Sequence, residues 1–209
     1  MSGQSPARTA AIIIASTRAA GGVYPDRTGP IIAEWLTARS FEVDSLVVVP
    51  DGAAVGAALR AATGLPAGGA GVPSAVGPAF GDSVPRGTEG GASDDSSGSV
   101  SQTDRSVVDL VITSGGTGIS PTDRTPQATA EILDYEIPGL AAAIRAEGSD
   151  KVPTAVLSRG LAGVSGRTLV INLPGSGGGV RDGLAVLGRV LDHALDQLRG
   201  GDHRAGGGV

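Results

Sequence analysis

Unbroken apolar runs, each stopped by glycine or proline, alternate along this chain with stretches of helical periodicity. Thr9 to Ala15 (TAAIIIA) is apolar throughout, as in a strand buried on both faces of a parallel sheet. Phe41 to Val49 (FEVDSLVVV) starts with alternation, ends wholly apolar and closes on Pro50-Asp51-Gly52. Val107 to Thr113 and Thr168 to Leu173 (TLVINL) complete four predicted strands. Between them, Pro30 to Ser40 places Ile31, Ile32, Trp35 and Leu36 on one helical stripe, and an alanine-rich helix covers Ala53 to Ala62. Thr125 as N-cap and Pro126 as first helical residue open a helix to Tyr135, with Ala128, Ile132 and Tyr135 spaced for a buried face. Further helices are predicted over Leu140 to Glu147 and, in one piece, Val180 to Leu198, where Leu184, Leu187, Leu191, Leu195 and Leu198 form the apolar face. Pro153 to Ser158 suits a strand or a short helix, and Ser158 to Gly163 reads as a polar turn. Strands alternating with helices predict an α/β domain, a three-layer αβα arrangement around a mostly parallel central sheet.

The strand ends carry the candidate chemistry. Val107 to Thr113 feeds Ser114-Gly115-Gly116-Thr117-Gly118, and Thr168 to Leu173 feeds Pro174-Gly175-Ser176-Gly177-Gly178-Gly179. Each is a strand, a glycine turn and a helix start, an arrangement that can present backbone N–H groups to an anion. No Gly-Lys-Ser/Thr follows at P-loop spacing, and Gly116-Thr117-Gly118 lacks the third glycine of the dinucleotide motif. Chemistry alone leaves an anion cradle and a tight structural turn equally open. Asp51 sits in ordinary Pro-Asp-Gly turn chemistry, and Asp26 has the position of a helix-entry cap. Ligands of α/β sheets bind beyond the carboxyl ends of parallel strands, so Asp51 and both glycine loops should share one rim.

Composition narrows the partners. Of the 209 residues 40% are hydrophobic but only 2% aromatic, so stacking platforms for nucleic acid are nearly absent. A formal charge of -5 argues against general binding to nucleic acid or an anionic membrane. With no cysteine, disulfides, thiol catalysis and thiolate metal sites are excluded. The two histidines, His193 and His203, lie away from the glycine loops, which removes a Ser-His-Asp triad or a histidine-ligated zinc site. Lys151 is the single lysine, in a turn where solvation suffices as its role; phosphate charge falls to backbone amides, arginines such as Arg124 and Arg159, or a metal. No apolar run has the length of a membrane span or signal peptide, and a soluble cytoplasmic protein is expected. Residues 63–105 are crowded with Gly, Ser and Pro and hold almost no large apolar residues, so they are expected to be a flexible insertion. The domain proper is expected over 9–199, with flexible ends at 1–8 and 200–209.

Ser114-Gly-Gly-Thr-Gly-Ile-Ser-Pro-Thr-Asp123-Arg124-Thr125-Pro126, with Ala128-Thr129 after it, resembles the signature loop of the molybdopterin-binding family of MogA, MoaB and the gephyrin G domain. Gly22-Val23-Tyr24-Pro25-Asp26, Glu136-Ile137-Pro138-Gly139-Leu140 and Asn172-Leu173-Pro174-Gly175 are similar to further segments of that family. The polar tetrapeptide usual after the last of these is Ser-Gly-Gly-Gly here.

The resemblance implies the MogA/MoaB-like fold and magnesium- and ATP-dependent adenylation of molybdopterin with release of pyrophosphate. It implies Asp51 and Asp123 as the catalytic and magnesium-holding carboxylates. Ser114, Gly115, Gly116, Thr117, Gly118, Ser158, Arg159, Asn172, Pro174 and Gly175 would then hold substrate. It implies a homotrimer that hands its product to the molybdate-insertion enzyme. A pterin-binding or scaffold protein of the same fold that does not turn over is the alternative.

Overall fold

The computed structural model describes residues 7–67 and 107–200. The expected insertion beyond Ala67 and the chain ends at 1–6 and 201–209 lie outside the described residues. Strand β1 (Arg8–Ala15) is followed by one turn of helix, α1 (Thr17–Ala20), then α2 (Gly29–Thr37), β2 (Phe41–Val49) and α3 (Ala53–Ala62). After the gap come β3 (Leu110–Ser114), α4 (Thr125–Ala130), β4 (Tyr135–Glu136) and α5 (Pro138–Ser149). A 3-10 turn at Pro153–Leu157 leads to β5 (Ala162–Ser165), β6 (Thr168–Leu173), α6 (Gly177–Leu187) and α7 (Leu191–Leu198).

The strands form one six-stranded sheet in the order β2-β1-β3-β6-β5-β4. β2, β1, β3 and β6 run parallel, and β5 and β4 continue it antiparallel. Side chains of β1 alternate between two cores, which is why its sequence shows no polar face. Ala10, Ile12 and Ile14 enter a core with Ile32 and Leu36 of α2, Ile144 of α5, Leu184 and Leu187 of α6 and Leu191 and Leu195 of α7. Ala11, Ile13 and Ala15 enter the opposite core with Val55 and Leu59 of α3 and Ile132. Helices therefore cover both faces, as the alternation of elements predicts. Each fully buried Ile or Leu contributes about 1.5–3 kcal/mol, so the two cores dominate stability.

Several boundaries differ from the sequence reading. The predicted single helix from Val180 to Leu198 is two helices: the N–H of Gly188 closes α6 on Leu184 O, and a turn through Arg189 and Val190 redirects the chain. Leu184, Leu187, Leu191 and Leu195 stay buried across that break, so leucine spacing alone reads straight through it. α4 stops at Ala130, and Tyr135, expected on a buried helical face, is 57% exposed on β4. Arg124 is the N-cap of α4, with Thr125 and Pro126 already inside the helix. Part of the stretch read as a polar turn, Ala162 and Gly163, opens strand β5, whose small residues (AGVS) carry no apolar run. Gly163 is required there, because a Cβ would lie 2.5 Å from Tyr135 O on the paired strand. Lys151 is not merely solvated: its Nζ donates to Asp182 Oδ1 at 2.6 Å, joining the end of α5 to α6, and this contact raises its pKa.

Candidate functional site

The carboxyl ends of β1, β2, β3 and β6 open onto one rim, and the glycine turn after β3 is its centre. Gly115 and Gly116 have φ of +97° and +62°, values that L side chains rarely adopt. A Cβ on Gly115 would lie 2.2 Å from Ala15 O at the end of β1. Next to the turn, the N–H of Gly115 donates to Leu173 O, and Ser114 Oγ donates to Pro174 O at 2.9 Å. The two glycine loops are thereby joined backbone to backbone.

Three carbonyls of the turn are engaged by the protein. Gly116 O accepts from the N–H of Thr125, Thr117 O from the N–H of Arg159, and Gly118 O from Arg159 Nε at 2.7 Å. The N–H groups of Gly116, Thr117 and Gly118 take no acceptor among the described residues. Carbonyls turned inward leave the amides of Gly116, Thr117 and Gly118 as the unspent donors of the turn, while the N–H of Gly115 is spent on Leu173.

Both carboxylates reach this turn. A Cβ on Gly116 would lie 2.8 Å from Asp51 Oδ1, and one on Gly118 would lie 2.7 Å from Asp123 Oδ2. Asp51 Oδ2 accepts from Thr17 N at 3.1 Å and Thr17 Oγ1 at 2.9 Å, which pins the carboxylate and leaves Oδ1 toward Gly116. Asp123 closes its own turn: its N–H donates to Ser120 O, and Oδ2 accepts from Ser120 N at 3.3 Å. A cleft of about 780 Å³ has Asp51, Ser114, Gly115, Gly116, Asp123 and Gly175 in its wall. A smaller cavity of about 270 Å³ is lined by Arg124, Gln127 and Arg159, and Asp123 is the one residue shared with the larger cleft.

The remaining expected residues fall elsewhere. Arg159 spends Nε on Gly118 O and Nη2 on Asp123 O, so it works as a clamp on the loop as well as a wall of the smaller cavity. Thr117 is buried, and neither it nor Gly118 forms part of either cavity wall. Ser158 accepts from the N–H of Gly160 and, like Pro174, lines neither cavity. Asn172 is 3% exposed and fully engaged: Nδ2 donates to Thr113 Oγ1 and Thr129 Oγ1, and Oδ1 accepts from Leu161 N. It is a strut between β6, β3 and α4, away from the cleft wall. Asp26 accepts from the N–H groups of Thr28 and Gly29 at the start of α2, as a helix-entry cap does, while also lining the cleft.

Two features escaped the sequence reading. Thr17 is the partner that orients Asp51, and its position directly after β1, on the same rim, is the signal that could have found it. Arg18 and Arg27, and not Arg124 or Arg159, bring positive charge to the larger cleft.

A family described as a probable molybdopterin binding domain matches residues 92–193. A solved Mog molybdopterin biosynthesis protein from Mycobacterium ulcerans is 49% identical, with a TM-score of 0.71 over 94% of this chain and 99% of that one. The chain belongs to the molybdopterin-binding family. Its fold is accordingly the MogA/MoaB-like α/β fold, and its place is in molybdenum cofactor biosynthesis. Within the family, a molybdopterin adenylyltransferase of Escherichia coli is 28% identical over 196 residues, 88% of this chain and 77% of that protein. One of Helicobacter pylori is 38% identical over 92 residues, 44% of this chain and 52% of that protein. The chain spans about half or less of the length of the first curated relatives it matches. Among the described residues no helix is long and apolar enough to cross a membrane.

Proposed function

We propose that this protein adenylates molybdopterin, using ATP and releasing pyrophosphate. The convergence of Asp51 and Asp123 on the turn from Gly116 to Gly118 is the observation that carries this reading. A phosphorylated ligand needs donors for its oxygens, and the unspent amide of Gly116, in the cleft wall, supplies one to the pterin phosphate. Gly177, at the N-terminus of α6, borders the same cleft and adds the positive end of a helix dipole. Arg18 and Arg27 lie along the wall where a polyphosphate would run.

The donor set fits magnesium. The described residues hold no group of three or more acidic or histidine side chains that could form an all-protein cage. They offer instead two carboxylates beside a phosphate cradle, and magnesium usually takes one or two carboxylates plus substrate phosphates and water. Asp51 and Asp123 would hold it, and its charge would offset that building on the reacting phosphates.

In the step itself an oxygen of the pterin phosphate forms a bond to the α-phosphorus of ATP. The bond from that phosphorus to the β-phosphate oxygen breaks, and pyrophosphate leaves with the electron pair. Such a transfer asks the protein for alignment and charge neutralisation more than for covalent help. Two cavities that meet at Asp123 suit two ligands whose phosphates must touch. The same reading takes the protein as a cytoplasmic homotrimer that passes adenylated pterin to the molybdate-insertion enzyme.

The test is pyrophosphate release from ATP with purified protein, molybdopterin and magnesium. Release that requires all three supports the reading. Pterin binding without release at any magnesium concentration would leave a binding protein of the same fold.

A further inference from the structure

Thr125 stands at the first turn of α4, fully buried, and its Oγ1 is the one buried side-chain polar atom without a hydrogen-bond partner among the described residues. A buried hydroxyl left unpaired forfeits its hydration with no return, so it marks a strained or functional position. Its surroundings single out the second. The N–H of Thr125 already donates to Gly116 O, which stitches this residue to the phosphate-facing turn. A Cβ on Gly116 would lie 2.3 Å from Thr125 Oγ1 and 2.8 Å from Asp51 Oδ1, so both oxygens face the same small space beside the Gly116 Cα. Asp51 Oδ2 is meanwhile anchored twice by Thr17. The one carboxylate oxygen facing that space is Oδ1.

We propose that Thr125 is a positioning residue for Asp51: when Mg-ATP occupies the cleft, its hydroxyl donates to Asp51 Oδ1 and, with Thr17 on Oδ2, fixes the plane of the carboxylate. This inference rests on the adenylation reading above. Hydrogen bonds of this kind are often long without ligand and shorten in the loaded complex. Gly116 has a second reason to be glycine, since any side chain there would separate the two oxygens.

The experiment compares wild type, Thr125→Val and Thr125→Ser in two measurements. The first is Tm without ligand and its magnesium-dependent rise with ATP; the second is pyrophosphate release. Valine keeps the shape and removes an unpaired hydroxyl, so the ligand-free Tm should equal or exceed that of wild type. The magnesium concentration needed for half the ATP-induced rise should increase, and kcat should fall roughly tenfold to a hundredfold, as for a lost hydrogen bond to a charged group. Serine should restore both. A ligand-free Tm that drops in Thr125→Val while magnesium dependence stays unchanged would make Thr125 structural and overturn the inference. Identical behaviour of valine variant and wild type would overturn it as well. A wild-type protein showing neither the magnesium-dependent rise nor pyrophosphate release would instead remove the adenylation reading, and this inference with it.

Discussion

Asn172→Ala should unfold the protein more readily without touching its ligand chemistry. The side chain is 3% exposed and makes three hydrogen bonds, to Thr113, Thr129 and Leu161, that tie β6 to β3, to α4 and to the segment entering β5. A typical net hydrogen bond is worth about 0.5–1.5 kcal/mol, so losing three costs roughly 3 kcal/mol, before any penalty for buried partners left unpaired. At about 2–4 °C per kcal/mol for a domain of this size, Tm should fall by roughly 6–12 °C. Differential scanning calorimetry gives the shift, and titration with ATP and magnesium below the lowered Tm gives affinity for the folded protein. Unchanged affinity is expected because Asn172 is no part of the cleft wall. A fall under about 2 °C would refute the strut assignment. A preserved Tm with lost ligand affinity would return Asn172 to the binding role implied by family resemblance.

Gly116→Ala should be costlier than an ordinary loop substitution. Left-handed backbone plus a Cβ at 2.3 Å from Thr125 Oγ1 should cost roughly 2–4 kcal/mol in denaturant unfolding, and a loss under about 1 kcal/mol would contradict that crowding. Arg159→Ala removes two charge-assisted bonds from the loop carbonyls of Gly118 and Asp123, for an expected loss of about 2 kcal/mol and faster amide exchange from Ile119 to Asp123. Arg159→Lys should not rescue it, because an ammonium lacks the planar fork that spans both carbonyls; full rescue would show that charge alone matters. The pKa of Lys151 is raised above its ordinary 10.5, chiefly by the hydrogen bond it donates to Asp182. The stabilisation is therefore complete below pH 10.5 and fades as pH climbs through the higher folded value. The Tm gap between wild type and Lys151→Met should accordingly be small at neutral pH and close in strong alkali, and a gap that widens there would reverse the sign of the linkage.

The fold was legible wherever burial wrote a pattern. β2 and α3 have the bounds the hydrophobic runs imply, and β1 shows no polar face because both of its faces meet helices. Legibility failed where pattern and chain direction part. Leucine spacing continues across Gly188, so one helix was read where two exist, and β5 has too little apolar bulk to announce a strand. At the site, the glycine positions announce unusual backbone, whereas Asp51 reads as ordinary turn chemistry and only the family resemblance singles out both aspartates. Hydrogen-bond direction is not: the spent amide of Gly115, the engaged amide of Asn172 and the clamp made by Arg159 depend on which group faces which. Only the fold reveals that Thr17 donates to Asp51 and that the Thr125 hydroxyl faces the same space beside Gly116 as the other Asp51 oxygen.

Magnesium-dependent pyrophosphate release by Asp51→Asn, Asp123→Asn and the double variant tests the central claim most directly. Each single change keeps the shape of the side chain and removes its charge. Each should lower kcat by roughly a hundredfold or more with Tm nearly unchanged. The double variant should lose less than the product of the two single losses, because groups that act as one unit are not additive. Turnover near wild type in either single variant would contradict the account.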